Sequence, residues 1–203
     1  MRLYLASTSP ARLATLRAAG IEPVPIAPGV DEEAAVAAAG TLSPTETVML
    51  LARLKAEAVA GARDDLDGLV LGGDSAFELD EVVYGKPHLA EVARERWRAQ
   101  RGRSGMLHSG HWLIDTRTGR AVGAPAAARV HFAADITDPE IDAYIATGEP
   151  LEVAGAFTID ARGAAFIDRI EGDPSAVVGL SIPTLRALTR SLAIDWTDLW
   201  NRA

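Results

Sequence analysis

The sequence predicts an α/β fold built on a mixed, twisted sheet, and three observations carry that prediction. Short apolar runs of strand length are interleaved with capped segments of helix length. Their order lacks the regular strand–helix–strand rhythm of a doubly wound domain. The middle of the chain is rich in hairpin-like strand pairs. With 203 residues, 48% of them apolar, the chain has the material for one large domain, with no need of a disulfide or metal staple.

Arg2–Ala6 reads as a short buried strand. Ser9-Pro10 opens a helix, with serine as N-cap and proline at the first helical position, and Gly20 stops it. Ile21–Ile26 is a proline-interrupted edge strand, followed by Asp31-Glu32-Glu33 in a loop. Ser43-Pro44-Thr45-Glu46 is a capping box that starts a helix running to about Ala60. Leu69–Gly72 reads as a short buried strand ending at Gly73-Asp74. Ala76–Leu79 and Val82–Tyr84 form a hairpin around Asp80-Glu81, without Asn-Gly turn chemistry. A helix over Leu89–Arg101, strands over Met106–Ile114 and Ala124–Phe132, and a short helix from Asp138-Pro139 follow. Late strands are expected at Phe157–Ile159 and Ala164–Ile170, and a last helix over Pro183–Leu192.

Composition excludes several chemistries. The chain has no cysteine, which removes disulfides, thiol catalysis and Cys-ligated zinc, and fits a reducing compartment. No run of 18 apolar residues reaches membrane-span length, and the N-terminal strand lacks the apolar core of a signal peptide. The expectation is a cytoplasmic protein. A net charge of −8 and a pI near 5.0 leave no basic footprint for nucleic acid. An acidic protein that binds a polyanionic small molecule must gather a few cations locally and usually add a divalent metal. Neither a P-loop nor a Gly-x-Ser-x-Gly elbow is present. His108 and His111 are three apart, so on one strand they face opposite ways and do not share a metal.

Five segments hold candidate chemistry. Asp74 follows an apolar strand and two glycines, at the end of a strand where α/β proteins bind ligands. Taken locally it reads first as a turn aspartate bonding its own backbone. Lys86, framed in Tyr84-Gly85-Lys86-Pro87, suits a phosphate ligand or a surface lysine. Lys55 falls within the apolar stripe Val48, Leu51, Ala58, Ala62, where it either faces a cleft or snorkels. Arg12 lies in the first turn of the first helix after Ser7-Thr8-Ser9, where exposed N–H groups and hydroxyls favour an anion, or where there is only a capping turn. Glu32, in an acidic triplet, gains a role if a metal needs an oxygen ligand.

Together these segments resemble the Maf family of nucleoside triphosphate pyrophosphatases over about Leu3 to Ile194. The resemblance rests on Leu5-Ala6-Ser7-Thr8-Ser9-Pro10-Ala11-Arg12, Val30-Asp31-Glu32, Leu51-Ala52-Arg53-Leu54-Lys55-Ala56, Gly73-Asp74-Ser75 and Gly85-Lys86-Pro87. Gly148-Glu149-Pro150, Ala154-Gly155-Ala156-Phe157 and Val178-Gly179-Leu180-Ser181-Ile182-Pro183 extend it. It implies a single catalytic domain over residues 1–203, two-lobed around a central cleft and related in architecture to the inosine triphosphate pyrophosphatases. It also implies cleavage of a nucleoside triphosphate to the monophosphate and pyrophosphate, as house-cleaning of non-standard or surplus nucleotides, with Mg²⁺ or Mn²⁺ and often a homodimer.

Carried onto this chain, the resemblance makes Asp74 the proton acceptor. Ser7, Arg12, Lys55 and Lys86 become substrate ligands, and Glu32 and Asp74 metal ligands. Three positions linked to base choice depart from the thymidine/uridine type: Ala11 for arginine, Ser75 for threonine and Asp160 for glutamine. Val153 stands in place of a common lysine. The phosphate-facing residues remain, so the reaction type carries over and the base preference does not. Two other readings stay open: a nucleotide-sensing regulator linked to septum formation, and a phosphatase releasing orthophosphate.

Overall fold

A computed structural model describes residues 1–201 of the chain. In chain order the elements are β1 (Leu3–Ala6), α1 (Pro10–Ala18), β2 (Val24–Pro25), α2 (Glu32–Ala39), α3 (Pro44–Gly61), β3 (Leu69–Leu79) and β4 (Val82–Tyr84). Then come α4 (Ala90–Gln100), β5 (Ser104–Asp115), β6 (Ala121–Phe132), α5 (Asp138–Ala146), β7 (Ile167–Gly172), α6 (Pro174–Val177) and α7 (Ile182–Ser191). The described residues form a seven-stranded sheet in the order β2-β1-β3-β5-β6-β7, with β4 paired to β3. β1 runs parallel to β2 and β3, whereas β3–β4 and β6–β7 are antiparallel. The mixed α/β sheet is therefore as the sequence predicts.

The chain divides into two compact units. One holds Met1–Asp74, Ser109–Ala126 and the chain from Gly179 onward; the other holds Ser75–His108 and Ala127–Val178.

In the first unit, strand alternation sends side chains to two faces. Leu3, Leu5, Leu69 and Leu71 enter one core with Leu16 of α1 and Leu185 and Leu188 of α7. Tyr4, Ala6 and Val70 enter the other with Ala56 and Val59 of α3. The strands are buried on both sides, which is why they read as unbroken apolar runs. Ser43 completes the predicted capping box of α3 with Glu46. α3 packs very close to the sheet. A Cβ added at Gly72 on β3 would lie 2.0 Å from the Ala52 carbonyl oxygen, and one at Gly110 on β5 would lie 2.2 Å from that of Val48. These two glycines form the floor on which α3 rests.

The second unit is built around an aromatic cluster. Trp97 of α4 meets Phe132, Tyr144 and Phe166 edge-on, and Phe77 meets Phe132 and Phe157 in the same way. The Trp97 indole N–H donates to the Ala156 carbonyl at 2.8 Å, and the Gln100 amide donates to the Gly155 carbonyl at 2.6 Å. These bonds hold a tight turn in which Gly155 and Ala156 have φ of 74° and 64°.

Several local expectations are corrected. β3 continues through Asp74 to Leu79 instead of stopping, and its parallel pairing with β1 ends at Gly72. Glu32 begins a helix and does not lie in a loop, because Asp31 caps α2 by accepting the Ala34 N–H at 3.0 Å. Phe157–Ile159 forms no strand; glutamate-anchored turns replace it, and the last strand is Ile167–Gly172. The hairpin turn forms without glycine, with Asp80 and Glu81 both at positive φ and Arg103 donating to the Asp80 carboxylate. The buried stripe of α3 is Val48, Leu51, Ala52, Lys55, Ala56 and Val59, so Ala58 and Ala62 lie outside it.

Candidate active site

The first unit brings Ser7, Arg12, Glu32, Lys55 and Asp74 together just beyond the end of the parallel β1–β3 pairing. The positions follow from backbone geometry. On β3, residues 70, 72 and 74 face α3, and Gly72 lets that helix approach until the Lys55 side chain reaches the strand end. Lys55 is 6% exposed, so it does not snorkel. Its Nζ lies 2.7 Å from Asp74 Oδ1 and 2.8 Å from Glu32 Oε1. Glu32 reaches this point because the Asp31 cap starts α2 there.

Arg12 approaches from α1, whose N-cap Ser9 accepts the Arg12 backbone N–H at 3.4 Å. Its side chain passes over Gly73, where an added Cβ would lie 3.3 Å from Arg12 Nε. Arg12 Nε donates to the Gly179 carbonyl at 2.9 Å, and Nη1 donates to Ser7 Oγ at 3.2 Å. Ser7 Oγ also accepts the Ser9 N–H at 3.1 Å, and Ser7 is buried. Gly72 and Gly73 thus do different work: one admits a helix backbone, the other a guanidinium.

The electrostatics are those of a partly dehydrated charge cluster. Burial pushes the Asp74 carboxyl above its ordinary value, and Glu32 adds to that. Lys55 and Arg12 oppose it without cancelling it. Burial likewise lowers the Arg12 guanidinium, while Asp74 and Glu32 pull it back. A carboxylate whose proton affinity is raised by burial, beside two cations that favour its charged form, suits a proton acceptor.

The remaining candidates lie elsewhere in the chain. Ser75 follows Asp74 on β3, and Ala11 sits half-buried in the first turn of α1. Lys86 is exposed in the second unit, in a loop held by Arg96, which donates to the Gly85 carbonyl and lies over the Tyr84 ring. Asp160 is exposed in the second unit as well. Its loop is anchored by Glu149, whose carboxylate accepts from Thr158 Oγ at 2.5 Å, Tyr144 Oη at 3.0 Å and the Gly163 N–H at 3.0 Å. His108 and His111 have separate partners, Glu78 for the first and Ser181 with Ala124 for the second.

Sequence reasoning does not find the Gly179 carbonyl, because a backbone acceptor leaves no side-chain signal. The Val178–Pro183 motif is its only trace.

A family model described as Maf-like protein matches residues 2–192. The chain belongs to the Maf-like family. This Maf-like chain is 70% identical, over its whole length and 98% of the relative, to a protein of Leifsonia xyli subsp. xyli named nucleoside triphosphate pyrophosphatase. It is 51% identical to a protein of that name from Salinispora tropica, covering 100% of this chain and 88% of the relative. For the Streptomyces coelicolor protein of the same name the figures are 50%, 98% and 94%. Among solved structures, the Maf-like chain matches the Staphylococcus aureus Ham1 protein with a TM-score of 0.51 at 14% identity, covering 95% of this chain and all of that one. That likeness shows a shared fold. No helix among the described residues is long and apolar enough to cross a membrane.

Proposed function

We propose that this chain hydrolyses nucleoside triphosphates to the monophosphate and pyrophosphate. The observation that carries the reading is the buried Lys55 ammonium bridging Asp74 and Glu32 beside Arg12, in a chain 70% identical to a nucleoside triphosphate pyrophosphatase. Water attacks the α-phosphorus, and Asp74 accepts its proton. An O–P bond forms, and the bond to the α–β bridging oxygen breaks, its electron pair leaving with pyrophosphate. Charge develops on phosphoryl oxygens, so positioned cations lower the barrier. Lys55 supplies one at the strand end, Arg12 holds the phosphates in ground and transition state alike, and Lys86 is assigned to phosphate binding.

The donor set fits a divalent cation brought with the nucleotide. Oxygens of Glu32 and Asp74 already converge on one cationic atom, Nζ of Lys55, at 2.8 and 2.7 Å. Among the described residues no group of three or more His, Cys, Asp and Glu forms a cage. Mg²⁺ and Mn²⁺ suit such a pair, because they are held by one or two carboxylates plus substrate phosphate and water. When bound, the cation supplies charge neutralisation at the phosphates.

Ala11, Ser75 and Asp160 are assigned to base choice. Asp160, when ionised, is an acceptor only, whereas the glutamine it replaces both donates and accepts. The same reading makes the protein a cytoplasmic, homodimeric house-cleaning enzyme for non-standard or surplus nucleotides.

A nucleotide panel with Mg²⁺ or Mn²⁺ tests the proposal. Pyrophosphate and monophosphate in equal amounts support it. Orthophosphate as sole product identifies a phosphatase, and binding without turnover identifies a regulator; either result overturns it.

A further inference from the structure

His111 has no part in the chemistry above, yet it is fully buried on β5 between two backbone groups. Its Nε2 accepts the Ser181 N–H at 2.8 Å, and its Nδ1 lies 3.2 Å from the Ala124 carbonyl oxygen. A donor facing Nε2 and an acceptor facing Nδ1 select one state of the ring: neutral, with the proton on Nδ1. Two residues before Ser181, the Gly179 carbonyl accepts Arg12 Nε at 2.9 Å. Gly179 itself has φ of 105°, a conformation that side chains rarely adopt. On the other side, Ser181 caps α7 by accepting the Thr184 N–H at 3.1 Å. Residues 179–181 therefore form a short bridge with the buried imidazole at one end and the guanidinium at the other.

The bridge fixes direction. Nε and both Nη atoms of arginine lie in one rigid plane, so a carbonyl that engages Nε sets where the fork points. Ser7 Oγ fixes Nη1 in the same plane. A leucine would fill the volume of the ring but could not accept the Ser181 N–H. The hydrogen bonding of His111, beyond its packing, is what reaches Arg12.

We propose that His111 is a positioning residue for triphosphate binding, holding residues 179–181 so that the Gly179 carbonyl orients Arg12. The inference rests on Arg12 being a phosphate ligand, as read above. Arg12 contacts phosphate before and during the reaction, so misorienting it should raise KM more than it lowers kcat.

The test compares wild type, His111→Leu, His111→Gln, Arg12→Ala and the Arg12→Ala/His111→Leu double variant. Pyrophosphate release is followed with a nucleoside triphosphate that the wild type hydrolyses. Glutamine can place its amide oxygen near the Nε2 position and accept the Ser181 N–H. His111→Leu is expected to raise KM about tenfold with little change in kcat, which is the loss of roughly one charge-orienting hydrogen bond. His111→Gln should stay within about threefold of wild type, since it restores that bond. In the Arg12→Ala background, His111→Leu should raise KM no further. Should His111→Leu fail to fold, His111→Asn, too short to reach Ser181, replaces it.

An equal rise in KM with and without Arg12, a loss confined to kcat, or an unchanged KM in folded His111→Leu would overturn the inference while leaving Arg12 a ligand. An unchanged KM in Arg12→Ala would overturn the reading of Arg12 and the inference with it.

Discussion

Lys55 Nζ stands 2.7 Å from Asp74 Oδ1 although the two residues are 19 positions apart and on different elements. The contact joins a helix to the strand beneath it, and both side chains are nearly withdrawn from water, with exposures of 7% and 14%.

Asp74→Asn should lower turnover by about 10²- to 10⁴-fold, the usual contribution of a positioned general base. It should not weaken the fold. A carboxyl raised by burial binds its proton more tightly folded than unfolded. Its ionisation therefore costs stability as pH rises from the ordinary 3.8 through the raised folded value. In metal-free buffer at neutral pH, Asp74→Asn should melt no lower than wild type. The difference in Tm should shrink as pH falls through that window. A variant that melts well below wild type at neutral pH would contradict the sign of the shift.

Lys55→Met should remove both activity and stability. The loss in kcat/KM is expected to be about 10²- to 10³-fold, as for a missing donor to developing charge. Leaving the Asp74 and Glu32 carboxylates without their shared ammonium should cost roughly 3 kcal/mol in denaturant unfolding. The Lys55→Met/Asp74→Asn double variant should be more stable than Lys55→Met alone. Asp74→Asn should raise stability more in the Lys55→Met background than in wild type, and an equal change in both would show that the two residues act independently.

Gly72→Ala should act at a distance. Its Cβ would collide with the Ala52 carbonyl oxygen, so α3 must lift from β3. A destabilisation of about 3 kcal/mol is expected, and the folded fraction should turn over slowly because Lys55 moves with the helix. Wild-type kcat in folded Gly72→Ala would sever the link between this close packing and the site.

Glu149→Gln probes the second unit. Burial alone would raise the Glu149 carboxyl, but hydrogen bonds from Thr158, the Gly163 N–H, Tyr144 and the Arg162 N–H outweigh it and hold it below the ordinary 4.5. Its stabilisation is therefore full above that value and lost as pH falls through the depressed one. The variant should lose about 2 kcal/mol at pH 7 and approach wild type in acid. A pH-independent difference would argue that shape, and not charge, holds the Asp160 loop.

Much of this was legible in the sequence because it rests on local chemistry. The capped starts of α1 and α3, Ser9-Pro10 and Ser43-Pro44, are visible as spacing alone, and each is realised by a side-chain cap. Asp74, Lys55, Glu32, Arg12 and Ser7 are ordinary residues one at a time, and the structure unites them on one unit. What stayed hidden depends on distant partners. The sequence does not mark the true α3 stripe, because small Ala52 and Ala56 are buried against Gly72, a contact that helix periodicity does not encode. Phe157–Ile159 reads like a strand because its apolar residues feed an aromatic cluster, while Glu149, Trp97 and Gln100 dictate its turns. The role of His111 is invisible without knowing that residue 181 lies against residue 111.

α2 carries Glu32 into the charge cluster, yet buries none of its own residues. Apolar packing therefore holds this helix only lightly, through half-buried Ala35 and Val36, and the Glu32–Lys55 ion pair ties it to α3. Its amide protons should exchange with solvent through cheap local opening, long before the core strands open. On the proposed reading, nucleotide and metal draw on the same glutamate, so their arrival should slow exchange in that helix.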